Sequence, residues 1–151
     1  MDIGRICTRK VATVREADDL TAAAELMRED HVGYLVVVEP GPAGASVKPI
    51  GVLTDRDIVV SVVSRQTDPR SLRVGDIMTP HPVVAEEGLS VDSALVQMRK
   101  HGVRRLPVVA SDGHLVGVVS LDDVLEALAG ELQNVVASMR NERLVEGALR
   151  P

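Results

Sequence analysis

The 151-residue chain has no tryptophan, no phenylalanine and one tyrosine, Tyr34. Without aromatic platforms, successive unstacked bases have nothing to stack on, which argues against nucleic acid as a partner. A planar ligand ring would have to lie against Val, Leu, Ile, Met or Pro. The single cysteine, Cys7, excludes an internal disulfide and has no Cys or His at zinc-ligand spacing, so it reads as a small apolar residue. Positive charge is short as well: 17 Lys and Arg against 22 Asp and Glu give a formal net charge of −5, the wrong sign for a broad phosphate-backbone footprint. No apolar run approaches the roughly 18 residues of a membrane span, and the opening MDIGRICTRKV lacks the apolar centre of a signal peptide. A cytoplasmic protein with no membrane partner is expected.

Catalytic patterns are missing too. His31, His81, His101 and His114 make no His-x-x-x-His pair, and no Gly-x-Ser-x-Gly elbow occurs. Glu86-Glu87 and Asp18-Asp19 stand before helical patterns, where acids favour the helix dipole. The expectation is a non-enzyme with no catalytic residue, no metal ligand and no obligatory cofactor.

What the chain does have is 45% hydrophobic residues and an internal repeat. Over residues 12–38 a shift of 71 aligns Ala23 with Ala94, Met27 with Met98, Leu35 with Leu106 and Val37-Val38 with Val108-Val109. Beyond that a shift of 66 aligns Gly51 with Gly117, Val52 with Val118, Thr54 with Ser120 and Asp57 with Asp123. The difference is an insertion in EPGPAGASVK, residues 39–48, whose Pro, Gly and Ser mark a loop. Its counterpart ASDGHL holds Asp112-Gly113, a hairpin signal. Paired strands are therefore expected at 34–38 with 50–54 and at 106–109 with 115–120. Leu20, Ala23, Ala24, Met27 and Val91, Ala94, Leu95, Met98 recur at helical spacing, with Asp19 and Ser90 as N-caps. Later helices follow Thr54 and Ser120. Each copy reads strand, helix, strand, strand, helix.

GDIMTPHPVVA, VRRLPVV, LVGVVSLDDVLEAL and IGVLTDRDIV resemble the lead-in, second strand and third-strand-to-helix turn of tandem cystathionine β-synthase-type (CBS) domains, over residues 3–128. The resemblance is to small stand-alone bacterial CBS-pair proteins. It implies a mixed α/β (α+β) fold of two βαββα repeats about a pseudo-twofold axis, a homodimer, and clefts for adenosine nucleotides. The organisation expected is repeat 1 at 1–64, a linker at 65–75, repeat 2 at 76–130 and a helical extension at 131–151.

The repeated Thr54-x-x-Asp57 and Ser120-x-x-Asp123 are close to capping boxes, which hold a helix start without any ligand. The same corner also aims free amides and a carboxylate at a cleft, and such a carboxylate can accept both hydrogens of a vicinal diol. In the resembling family the matching Asp holds ribose and the matching Thr or Ser lies near ribose or phosphate. Carried over, those are Asp57 with Thr54 and Asp123 with Ser120. Positive charge is unequal: Arg56 faces Asp122 in the alignment, while Arg104 and Arg105 align with Gly33 and Tyr34. Adjacent strand residues point to opposite faces, so at most one of Arg104 and Arg105 should reach a given cleft. Two inequivalent sites are expected.

By resemblance, an adenine slot comes from the segment Thr79 to Val83 in the second lead-in, with Thr79, Pro82 and Val83 singled out, from the segment Thr8 to Ala12 in the first, and from the second strands near Tyr34 and Leu106-Pro107. The first copy reads ICTRKVA against IMTPHPVVA, which makes its site the poorer adenine pocket. AMP, ADP, ATP, NAD and S-adenosylmethionine are not distinguished. An effector protein is a further expected partner. Leu121, Leu125, Leu128, Leu132, Val135, Val136 and Met139 form a helical stripe about 28 Å long, interruptible at Gly130. Its surplus length supports an alternative, a dimeric interaction scaffold of the same fold with no nucleotide.

Overall fold

The computed structural model describes residues 1–42 and 45–149; residues 43 and 44 of the insertion and 150 and 151 of the tail lie outside the described residues. The first copy runs β1 (Thr13–Arg15), α1 (Leu20–Asp30), β2 (Tyr34–Val38), β3 (Pro49–Thr54) and α2 (Asp55–Ile58), which widens into a π-helical turn over Val59–Val63. After a 3-10 turn at Pro69–Ser71 come α3 (Val74–Ile77) and β4 (Thr79–Pro80). The second copy runs β5 (Ala85–Glu86), α4 (Val91–His101), β6 (Arg105–Val109), β7 (Leu115–Ser120) and α5 (Leu121–Leu149).

Residues related by the repeat take equivalent places. Helix α1 buries Leu20, Ala23 and Met27, and α4 buries Val91, Ala94 and Met98, one apolar stripe each. Both end on a left-handed residue, His31 at φ 54° and Gly102 at φ 66°. Ser90 caps α4 by accepting the Ser93 N–H at 3.2 Å. Asp19, although at the N-cap position, gives its carboxylate to the Arg73 guanidinium instead, tying α1 to the linker. The two hairpins form as expected, β2 with β3 and β6 with β7, and each shifts register at the same point, between Val37 and Val38 and between Val108 and Val109. Strands β1 and β5 add in parallel to β2 and β6.

The lead-ins are exchanged between copies. Each lead-in therefore packs on the hairpin of the other copy, not on that of the copy it precedes in the chain. Strand β4 pairs antiparallel with β3 of the first copy, Val52 opposite Thr79, while Thr8 bridges Val118 on β7 of the second. The glycine of each repeated motif makes room for this crossing. A Cβ on Gly51 would stand 2.6 Å from Met78 Sδ, and one on Gly117 would stand 2.7 Å from Cys7 Sγ. Each core is closed by the same exchange: Ile3 is fully buried among second-copy residues, and Val74 among first-copy residues. Burial in this seat pushes the Cys7 thiol above its ordinary pKa, as an inert apolar cysteine requires. The insertion also crosses, since the Val47 carbonyl accepts the Leu115 N–H at 2.8 Å.

Helix α5 runs unbroken through Gly130, the point at which the sequence left it interruptible. Its only buried residue is Val124, and the stripe beyond is open, with Leu132 65% and Leu144 73% exposed. Among the described residues, no helix is long and apolar enough to cross a membrane.

Candidate ligand-binding clefts

Each hairpin's second strand ends in a hydroxyl residue that turns directly into a helix. At the first corner Thr54 is still extended, and its Oγ1 accepts the Asp57 N–H at 3.1 Å while Asp57 Oδ2 accepts the Thr54 N–H at 2.8 Å. At the second, Ser120 Oγ accepts the Asp123 N–H at 3.2 Å, and Asp123 Oδ2 accepts both the Ser120 N–H at 2.7 Å and its hydroxyl at 2.6 Å. Both corners are reciprocal capping boxes. Neither carboxylate is used up by this role. A carboxylate offers about four acceptor positions, and among the described residues the bonds all fall on Oδ2, leaving Oδ1 of each acid open.

Both corners open onto clefts that side chains leave unfilled. The larger, of about 650 Å³, contains Thr54, Arg56 and Asp57 on one wall with Thr79, Pro82 and Val83 of the exchanged lead-in beside them. Arg104, Arg105 and Tyr34 complete it. The smaller, of about 260 Å³, joins Ser120 and Asp123 to Ala12, Tyr34 and Arg105. Leu106 and Pro107, expected beside the adenine, are buried in β6 and line neither cleft, whereas twelve other residues singled out from the sequence line one or the other. Their grouping differs from the expected one, because the crossing puts the IMTPHPVVA lead-in against TDRD and the ICTRKVA lead-in against Ser120 and Asp123. The better apolar slot and the more basic corner thus share one cleft.

The two arginines also depart from expectation. Arg104 and Arg105 both line the larger cleft, and Arg105 lines the smaller one too. Strand alternation does not separate them because β6 begins at Arg105, leaving Arg104 in the preceding turn. Sequence reasoning set aside three histidines that the fold brings in: His81 and His101 in the larger cleft, His31 in the smaller. Lys10, inside the expected Thr8 to Ala12 segment but not singled out for its charge, is a cation of the smaller cleft. The available signal was positional, since His31 aligns with Gly102 at the ends of equivalent helices and Lys10 with His81 in equivalent lead-ins. The larger cleft carries Arg56, Arg104 and Arg105 against Asp55 and Asp57, whereas the smaller has Lys10 and Arg105 against Asp123. Among the described residues no group of three or more His, Cys, Asp or Glu is placed to hold a metal ion.

Between the clefts, the Arg105 guanidinium lies over the Tyr34 ring, 5.7 Å from its centroid. Burial holds the Tyr34 phenol protonated far above its ordinary range, with the nearby Arg105 charge opposing only in part.

Known proteins share this arrangement. The chain is 35% identical to the CBS domain-containing protein YhcV of Bacillus subtilis over 117 residues, 78% of each sequence. It is 33% identical to the uncharacterised protein MK0525 of Methanopyrus kandleri over 126 residues, 83% of this chain but only 62% of that longer protein. Among solved structures, the CBS domain protein PAE2072 of Pyrobaculum aerophilum complexed with AMP superposes with a TM-score of 0.72 at 24% identity, covering 82% of this chain and 89% of that one. The CBS domain pair of MJ0100 in complex with 5-methylthioadenosine and S-adenosyl-L-methionine gives 0.72 at 22%, covering 87% and 98%. A hexameric CBS-CP12 protein from bloom-forming cyanobacteria gives 0.72 at 27%, covering 98% and 87%. The CBS domain profile matches residues 3–64 and 74–130, and with two such copies interlocked through exchanged lead-ins the chain belongs to the CBS domain family as a tandem pair.

Proposed function

We propose that this chain is a cytoplasmic regulatory module that binds adenosine-containing nucleotides in its two clefts and converts occupancy into a change in how its copies are arranged. The supporting observation is the paired corner: each cleft opens on a carboxylate with a free oxygen, a helix start and at least one cation. Asp57 and Asp123 take ribose hydroxyls, with Thr54 and Ser120 beside them. Arg56, Arg104 and Arg105 take phosphate. Thr79, Pro82 and Val83 in the larger cleft, and Ala12 in the smaller, take the adenine, with Tyr34 between. Hydrogen bonds to a charged carboxylate contribute about 1.5–3 kcal/mol each, enough for such a contact to supply much of a micromolar affinity. The adenosine ligands held by two fold neighbours are consistent with this assignment.

No chemistry is assigned to the module. A ligand preferring one arrangement of the two copies shifts the population toward it by its differential affinity. The functional unit is a homodimer whose state is heard by a second copy or an effector protein. A nucleotide-free scaffold is the second reading, favoured by the open apolar stripe of α5. A thermal-shift series with AMP, ADP, ATP, NAD and S-adenosylmethionine separates them. At a hundred times its dissociation constant a ligand adds about 2.7 kcal/mol, or roughly 5–10 °C for a chain of this size. A rise with at least one of the five supports sensing, and no rise with any supports the scaffold.

A further inference from the structure

Tyr34 and Arg105 are counterparts, 71 residues apart in the repeat, and the fold sets them face to face. Each opens an interior strand of its sheet, directly across from the hydroxyl of a cap: Tyr34 opposite Thr54, Arg105 opposite Ser120. Both residues line both clefts. The stacked pair is therefore a wall common to the two sites, and it is chemically one-sided, with a neutral ring from one copy and a fixed cation from the other.

The consequence is unequal supply. With its neighbour empty, each cleft can draw on Arg105. The larger also has Arg56 and Arg104, but besides Arg105 the smaller has only Lys10 and His31 as basic groups. Resting on the nucleotide reading above, we infer that Arg105 is a single phosphate ligand shared by the two clefts, so that a nucleotide phosphate bound in one weakens phosphate binding in the other. Two anions flanking one guanidinium compete for its donors and repel each other across the wall it forms. A nucleoside, having no phosphate, escapes the competition. Coupling of this kind is reciprocal, so it is readable from either site.

The test is calorimetric titration of AMP and of adenosine into the wild type, Asp57→Ala, Asp123→Ala and Arg105→Met. Asp57→Ala disables the larger cleft and leaves the smaller to be measured alone. Val52→Phe fills the same cleft without touching the cap, should the first variant melt too low. The smaller cleft is expected to bind AMP about fivefold or more tightly when the larger is disabled than when it is full, the lower end of usual coupling. Adding Arg105→Met to either background should bring the two values within about twofold, and adenosine should show no difference at all. An AMP affinity for the smaller cleft that is unchanged by disabling the larger would overturn the sharing alone, as would coupling that persists without Arg105 or coupling with adenosine. Two AMP molecules per chain in both Asp variants, or no AMP bound by any protein, would overturn the corner assignment and the sharing with it.

Discussion

Asp57 and Asp123 hold their own helix starts and still face open clefts, because one oxygen suffices for the cap. The cap and the proposed ligand contact are thus compatible uses of the same residue, which is why the spacing Thr/Ser-x-x-Asp was readable as either. The glycines are equally specific in what they permit. A Cβ on Gly117 would meet the Thr8 carbonyl at 3.0 Å as well as Cys7 Sγ, so Gly117→Ala must push the exchanged lead-in off β7. Overpacking of this order costs about 1–3 kcal/mol, and the melting temperature should fall by roughly 3–10 °C. An unchanged melting temperature would mean that the lead-in does not sit on this strand. Tyr34 supplies a second expectation at this scale. Its pKa is raised in the folded chain, so its contribution to stability is full below the ordinary tyrosine value of about 10 and is lost as pH rises above it. With no other tyrosine and no tryptophan, tyrosinate absorbance reports this one group. It should appear only together with loss of the circular dichroism signal, and Tyr34→Phe should move alkaline unfolding to higher pH. Ionisation near pH 10 in a chain that is still folded would contradict the burial.

At the scale of elements, hairpins and helices were legible because their signals are local. Apolar spacing in 20–27 and 91–98 and the Asp112-Gly113 turn act within a few residues, and the structure follows them. The exchange of lead-ins was not legible. Ile6-Cys7-Thr8 and Ile77-Met78-Thr79 are of one type, and either would fit the glycine of either hairpin; the choice is made by tertiary pairing over a two-residue strand and a single bridge. The same exchange decides which residues share a cleft, so most of the cleft-lining residues could be picked out from the sequence but not grouped. Helix α5 poses the opposite problem, a strong local pattern with no partner within the chain. Helices in proteins take most of their stability from packing of an apolar face, and the part of α5 beyond Gly130 leaves its apolar stripe uncovered. Self-association through that stripe is the expected remedy. If the proposed dimer forms through this stripe, removing residues after Gly130 should lower the mass measured by light scattering toward that of one chain, and an unchanged mass would count against a dimerising tail.

For the molecule as a whole, the interlocked cores make each copy depend on the other: Ile3 completes one and Val74 the other. Clefts built between copies in this way depend on their relative placement, as the proposed sensing requires. The molecule's two sites are unequal in volume and charge, and the inequality traces to single residues, Arg56 against Asp122 and Arg105 against Tyr34. Whether these clefts hold nucleotide at the two acids is most directly decided by titrating AMP into the wild-type protein and into the Asp57→Ala/Asp123→Ala double variant, with circular dichroism confirming that the variant is folded. Saturable heat from the wild type and none from the double variant is the expected result. Equal binding by both would contradict it.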